Sequence, residues 1–114
     1  MRNKYYARKI VRNGETFDSE REYRRYVELT LLQRAGKIQG LQRQVPFELI
    51  PAQYEEVKGK KPKCIERAVK YVADFIYLER GQVVVEDVKG YRTKEYVLKR
   101  KMMLYFHGIR IKEV

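Results

Sequence analysis

Two apolar segments joined by a Gly-containing turn contain acidic residues at positions where a buried strand normally has none. The first is residues 71–77, with Asp74 at its centre, and the second is residues 83–90, which include Asp87 and Lys89. Burying an unpaired carboxylate is costly, so such a group needs a partner of opposite charge. We therefore expect a metal ion between Asp74 and Asp87, with Lys89 beside it.

The spacing of these residues assigns them to faces of a strand. Residues two apart share a face, so Asp87 and Lys89 point the same way and Glu86 points to the other side. Carboxylate oxygens suit Mg²⁺ or Mn²⁺, ions that activate water and polarise a phosphate, and Lys89 would stabilise charge developing on that phosphate. The alternative interpretation is a surface salt bridge between Asp87 and Lys89.

Charge points to a polyanionic partner. The chain of 114 residues has 26 Lys and Arg against 15 Asp and Glu, a net charge of +11. Such an excess favours nucleic acid, since each phosphate contact releases condensed counterions, although an inert basic surface has the same composition. The length predicts one domain, residues 1–114, with a basic N-terminal arm at residues 1–12.

Cysteine content and hydropathy narrow the class of protein further. Cys64 is the single cysteine, so an intrachain disulfide and a cysteine-based zinc site are excluded. No apolar stretch approaches the length of a membrane span, and the N-terminus lacks the apolar core of a signal peptide. We therefore expect a soluble cytoplasmic protein with no membrane partner.

The pattern of turns and apolar residues predicts the order helix, three strands, helix, strand. The elements are a helix at about 19–35, strands at 41–50, 65–78 and 82–89, a helix at 93–106 and a short strand at 109–114. Ser19 and Glu22 form a capping box at the start of the first helix, and Gly36 ends it. Pro46 indicates an edge strand or a bulge, and residues 55–63 form an exposed basic loop.

Helical spacing also predicts which face of the first helix is buried. The residues expected on that face are Tyr23, Tyr26, Val27, Thr30, Leu31 and Ala35.

Several short motifs resemble those of a known nuclease superfamily. They are Phe17-Asp-Ser-Glu-Arg-Glu22, Leu41-x-x-Gln44-Val-Pro-Phe, Tyr71-x-x-Asp74-Phe, Asp87-x-Lys89-Gly90 and Leu98-Lys-Arg-Lys101. Their order is similar to that of small phage-encoded nucleases of the PD-(D/E)XK superfamily and, more loosely, to archaeal Holliday junction resolvases. The resemblance covers nearly the whole chain. It implies an α/β fold with an αβββαβ core, in which helices flank a mixed central sheet.

The resemblance also implies residue roles. Asp74, Asp87 and Glu22 would be metal ligands and Lys89 the catalytic lysine, with Mg²⁺ as the cofactor and Mn²⁺ able to replace it. Glu22 has a competing role, because as part of the capping box it would only satisfy the helix start. Glu86 is disfavoured as a ligand by its strand face, unless a bulge changes the register.

Further polar residues are candidates for DNA contact. Gln44 matches a glutamine of the family pattern and would contact DNA or a metal-bound water, while a solvent-facing role is the alternative. The basic candidates are Lys58, Lys60, Lys61, Lys99 and Arg100, some of which are expected only to be solvated. Tyr91 and Tyr5 are candidates for stacking on an unpaired base, and His107 is expected to be a cap or surface residue.

The function implied by the resemblance is a metal-dependent endonuclease that resolves four-way DNA junctions. Two matched incisions favour a C2 homodimer. A phage gene acting in bacterial cytoplasm is also implied. The alternatives are a nickase or end-processing nuclease with another substrate preference, and a nucleic-acid-binding module without catalysis.

Overall fold

The chain forms two helices and eight strands within residues 8–114, the part that the computed structural model describes. In chain order these are β1 (Ile10–Arg12), β2 (Glu15–Phe17), α1 (Glu20–Arg34), β3 (Gln39–Ile50), β4 (Gln53–Glu55), β5 (Lys63–Glu66), β6 (Val69–Glu79), β7 (Gln82–Asp87), α2 (Lys94–His107) and β8 (Lys112–Glu113). No helix among these is long and apolar enough to cross a membrane.

A mixed four-stranded sheet forms the centre of the fold. Its strand order is β3-β6-β7-β8, with antiparallel pairing from β3 to β7 and parallel pairing of β7 with β8. Tyr96 and Met103 of α2 belong to one core cluster and Leu29 of α1 to a second, so the helices cover opposite faces. The predicted α/β class, with a mixed central sheet flanked by helices, is confirmed.

The start and end of α1 follow the sequence signals. Ser19 is the N-cap, and its hydroxyl oxygen accepts a hydrogen bond of 3.1 Å from the backbone N–H of Glu22. At the other end Gly36 has a φ of 75°, in the left-handed region that glycine adopts without strain. The Glu22 carboxylate turns toward the sheet, where Arg43 Nη2 lies 3.4 Å from its Oε2 atom.

The buried face of α1 agrees with the prediction only in part. Tyr26 packs against a core cluster as predicted, but Leu29 and Glu22 are the buried residues, and Val27 and Leu31 are 39% and 58% exposed. The reason is that the buried face contains charged side chains, which a search for apolar periodicity assigns to solvent. Its central contact joins Arg25 to Glu86, with Nε to Oε1 and Nη2 to Oε2 distances of 2.8 and 2.6 Å.

Glu86 is held on the α1 side of the sheet. It is completely buried, and the Tyr77 hydroxyl donates to the same carboxylate that binds Arg25. The hydrogen bond from Arg25 to Glu86, together with the negative charge nearby, raises the pKa of Arg25, although burial opposes that shift. Glu86 and Asp87 therefore occupy opposite faces, as the strand alternation predicted.

Several predicted boundaries are wrong. Ile10–Arg12 is a strand rather than part of a basic tail, and it pairs with β2. The two strands are joined by a turn at Asn13 and Gly14, whose φ angles are 53° and 79°. Residues 1–7, which include Tyr5, lie outside the described residues. The predicted strand at 65–78 is divided into β5 and β6, and the strand predicted at 82–89 ends at Asp87.

The strand predicted at 109–114 is shorter than expected, because only Lys112–Glu113 pairs with β7. Other local predictions hold. Pro46 lies in β3, an edge strand of the central sheet, where its missing N–H disrupts no second ladder. Helix α2 ends at His107, and Gly108 follows as its left-handed cap.

Removal of Glu86 should destabilise the protein strongly. Glu86→Ala leaves the Arg25 guanidinium and the Tyr77 hydroxyl without their buried partner, so we expect a loss of about 3–5 kcal/mol in the free energy of unfolding. Glu28→Ala is the control, since the exposed Arg25–Glu28 pair should contribute under about 0.5 kcal/mol. Urea unfolding measures both, and equal losses would contradict this account.

Candidate metal centre

Strand β6 changes the direction of its buried side chains at Asp74. Tyr71 and Ala73 pack in the cluster beneath α2, whereas Phe75 and Tyr77 pack in the cluster beneath α1. On the neighbouring strand, Gln44 has a φ of 51°. Irregular backbone of this kind re-aims side chains within a sheet and is frequent near functional sites. Asp74 is thereby placed between the two helices rather than within either core.

Three carboxylates converge at this point. One oxygen from each of Asp18, Glu22 and Asp74 lies within 4.8 Å of the other two. Asp18 precedes the N-cap of α1, Glu22 is in its first turn, and Asp74 comes from the sheet. The distances allow one cation to contact all three oxygens, and hard oxygen ligands are those that Mg²⁺ and Mn²⁺ prefer.

Asp74 is fixed by two hydrogen bonds. The backbone N–H of Val88 donates to its Oδ2 atom at 2.8 Å, and Gln44 Nε2 donates to its Oδ1 atom at 3.2 Å. Since Val88 directly follows Asp87, the first bond links Asp74 to the end of β7. Asp74 and Asp87 are also adjacent in register, because the preceding pair along the two strands is Phe75 with Glu86.

Asp87 and Lys89 line the same groove as Asp74, a hollow of about 320 Å³. Lys89 Nζ lies 2.9 Å from Asp87 Oδ1 and 4.0 Å from the centroid of the Tyr96 ring. The Tyr71 hydroxyl donates to Asp87 Oδ2. Asp87 Oδ1 is buried, and it forms an ion pair with Lys89 without the geometry of a regular hydrogen bond.

The electrostatics of the groove favour added positive charge. Burial, followed by the negative charge of Asp87, raises the pKa of Asp74 from 3.8 to about 8, and the Val88 N–H offsets part of that rise. Burial and the charge of Asp18 raise the pKa of Glu22 as well. These carboxylates therefore resist being ionised together unless a proton or a metal ion neutralises them.

Most of the predicted site residues meet in this groove. Those lining it are Asp74, Asp87, Lys89, Gln44 and Lys99, and Glu22 is next to it through Asp74. Sequence reasoning missed Asp18, which precedes the N-cap Ser19 and was not among the predicted site residues. The sequence signal that could have identified Asp18 is its spacing of four residues from Glu22, because side chains four apart lie on the same side at the start of a helix. Asp18, not Asp87, completes the closest group of three carboxylates.

The remaining basic candidates lie elsewhere. Lys58, Lys60 and Lys61 are exposed on the loop between β4 and β5 and line a separate hollow. Arg100 faces away from the groove and binds Glu113 at 3.1 Å. Hydrogen bonds from Arg92 and then Tyr96 lower the pKa of Glu113 to about 2.

Two further candidates have surface positions. His107 Nε2 lies 2.7 Å from the backbone oxygen of Glu48, which agrees with the predicted cap or surface role. Tyr91 is 59% exposed. Lys99, although it lines the groove, is also within 3.2 Å of Glu95.

Comparison with known proteins assigns the chain to a family. A family model described as "Protein of unknown function (DUF1064)" matches residues 2–113. The chain belongs to the DUF1064 family. The search of curated proteins found no match. The family description names no activity or ligand.

The carboxyl group of Asp74 should make the stability of the DUF1064 protein depend on pH. The unfolded chain loses this proton near pH 3.8, while the native state keeps it to about pH 8. Between these values the native state binds more protons, so the contribution of Asp74 to stability falls as pH rises. Asp74→Asn removes this titration, and its melting temperature relative to wild type should rise progressively from about pH 4 to pH 8.

Added Mg²⁺ or Mn²⁺ should stabilise the wild-type DUF1064 protein at pH 8 but not Asp74→Asn, because bound cation replaces the missing proton. Glu79→Gln is a matched control, since it removes one exposed acid from the same strand. A difference between Asp74→Asn and wild type that stays constant across pH would contradict the assignment of the raised pKa to Asp74.

Proposed function

We propose that this protein is a divalent-metal-dependent endonuclease that hydrolyses phosphodiester bonds in DNA. The observation that supports this most is the meeting of Asp74, Asp87 and Lys89 in one open groove, with Glu22 and Asp18 against Asp74. A polyanionic substrate agrees with the net charge of +11. The resemblance of the Asp74 and Asp87-x-Lys89 motifs to PD-(D/E)XK nucleases points to the same reaction.

The donor set fits Mg²⁺, with Mn²⁺ as a substitute. Asp74, Glu22 and Asp18 would hold the ion, and Asp87 lines the same groove as a further carboxylate ligand. When bound, the ion would polarise the phosphate and lower the pKa of a coordinated water. The raised pKa values of Asp74 and Glu22 indicate that these acids need a positive charge in order to ionise.

Lys89 has the position required to assist at the phosphate. Its ammonium group lies between the Asp87 carboxylate and the face of the Tyr96 ring, and both attract a cation. A fixed positive charge in a groove stabilises negative charge that develops on a phosphate during hydrolysis. Lys89 would therefore act as an electrostatic catalyst and orient the attacking water.

The helices add a second attraction for phosphate. Asp18, before α1, and Thr93, the N-cap of α2, both line the groove, so both helices begin beside it. Partial positive charge at helix N-termini favours anions within about the first turn. The acids at the same place would repel a phosphate unless a cation were present. This combination supports phosphate binding that depends on the metal.

The proposed substrate is branched DNA, with four-way junctions first. The resemblance to resolvases supports this choice, and a homodimer would supply the two matched incisions. A nickase or end-processing nuclease uses the same groove on other substrates. A binding module without catalysis would leave the acids structural.

Substitution of Asp74 should separate cleavage from binding. Asp74→Asn should lower Mg²⁺-dependent cleavage of a labelled four-way junction by at least about 100-fold, a loss typical when groups that hold or orient a metal are removed. Junction binding should persist, because the basic surface is unchanged. Glu79→Gln is the control and should cleave like wild type. A fully active Asp74→Asn protein would exclude the proposed metal chemistry.

The substrate is tested by parallel digestion of a four-way junction, a flap, a single strand and a linear duplex of matched sequence. We expect the junction to be cut fastest, with paired incisions on opposing strands. Comparable rates on all four would favour the nickase or end-processing alternative. Binding with no cleavage in either Mg²⁺ or Mn²⁺ would favour the non-catalytic module.

A further inference from the structure

The hairpin formed by β4 and β5, residues 53–66, stands apart from the central sheet. Its two strands pair with each other in a separate two-stranded sheet, and residues 58–67 are all exposed. The described part of the chain has a radius of gyration of 17.3 Å and extents of 57 × 41 × 28 Å. A compact chain of this length would have a radius near about 13 Å, so the fold is elongated. We call residues 53–66 the basic ribbon.

The lysines of the basic ribbon have no acidic partners among the described residues. Lys58, Lys60, Lys61 and Lys63 make none of the ion pairs found there. The acids of the ribbon, Glu55, Glu56 and Glu66, lie on its strands or beside them, with Glu55 opposite Lys63, and the tip at residues 57–62 contains none. Some basic residues in the body of the protein are paired, such as Arg25 with Glu86 and Arg43 with Glu22, while others, such as Arg34 and Lys37, make no such pair within the described range. Unpaired lysines bind phosphate without first losing an internal partner. They are therefore the groups from which counterion release is expected.

The basic ribbon also exposes apolar side chains. Tyr54 is 62% exposed and Ile65 52% exposed, on strands that have no other sheet to pack against. An exposed two-stranded ribbon has dimensions that the major groove of duplex DNA admits. There, apolar side chains contact base edges while lysines contact the flanking phosphates. The combination matches a nucleic-acid duplex better than a purely polar surface.

The location of the basic ribbon relates it to the metal centre. The chain leaves the ribbon and enters β6 at Val69, and the lining of the groove extends along this strand through Lys70 and Val72 to Asp74. Val69 lies near the base of the ribbon, and five steps of extended strand, about 17 Å, lead from it to Asp74. The base of the ribbon is therefore about half a turn of duplex DNA from Asp74, since the helical repeat is about 34 Å.

We propose that the basic ribbon binds the DNA duplex that flanks the phosphate in the groove, with Lys58, Lys60 and Lys61 against the phosphate backbone. The proposal rests on the proposed nuclease function and names the part of the substrate that the ribbon contacts. The ribbon would supply affinity and register, and the groove would supply the chemistry. The competing possibility is that a second copy of the chain packs against Tyr54 and Ile65.

The experiment measures binding without cleavage. Fluorescence anisotropy of a labelled duplex, in Ca²⁺, is recorded over a series of salt concentrations for wild type and for the triple variant K58A/K60A/K61A. In a plot of log binding constant against log salt concentration, the magnitude of the slope should decrease by up to about 2.7 in the triple variant, since each lost phosphate contact removes about 0.9. The control is R34A/K37A/R80A, which removes the same charge from exposed residues that make no ion pair among the described residues. Its slope should change much less.

Three results would overturn the proposal. The first is an unchanged slope in K58A/K60A/K61A, and the second is an equal fall in the control, which would indicate general charge attraction. The third is a dimer-to-monomer change on sedimentation of Tyr54→Ser with Ile65→Thr, without loss of DNA binding. All substituted residues are exposed, so circular dichroism should report unchanged folding.

The binding readout separates this proposal from the nuclease function. Loss of slope in a protein that never cleaves DNA would support the ribbon and oppose the nuclease. An unchanged slope, with cleavage still abolished by Asp74→Asn, would support the nuclease and oppose the ribbon.

Discussion

The structure depends on how it accommodates acids that are held close together. Asp18, Glu22 and Asp74 have oxygens within 4.8 Å of one another, and Asp87 is adjacent to Asp74 in the strand register. Burial, together with their mutual repulsion, raises the pKa of Asp74 and Glu22. Retaining four acids in such a place is unfavourable for folding alone, and this cost is the basis of the proposal that the groove binds a cation.

Much of the fold could be predicted from local signals. The helix starts at Ser19 and Thr93 follow from capping chemistry, and the left-handed residues at Gly36 and Gly108 mark the ends. These signals are short-range, so one sequence contains them completely. The face of α1 was predicted only in part, because Arg25 packs against Glu86, sixty-one residues away. The residue pattern of α1 alone cannot predict this long-range pair.

The candidate site was also predictable where local sequence signals were sufficient and not where it depended on tertiary contacts. Asp74, Asp87 and Lys89 were identifiable because acids and an amine interrupt apolar strands. Asp18 was missed because an acid beside a helix start is fully explained by capping, and only the tertiary arrangement brings it against Asp74. The division of residues 65–78 into β5 and β6 also depended on tertiary context, since the ribbon strands pair with each other and not with the sheet.

The Arg25–Glu86 pair has a consequence for the opposite side of the sheet. Arg25 lies three residues after Glu22 on α1, and Glu86 immediately precedes Asp87 on β7, so one contact fixes the separation of two acids that it never touches. A helix that slid along the sheet would carry Glu22 away from Asp74 and separate the acids of the groove. The spacing of these acids is therefore controlled by a contact in the core that none of them makes.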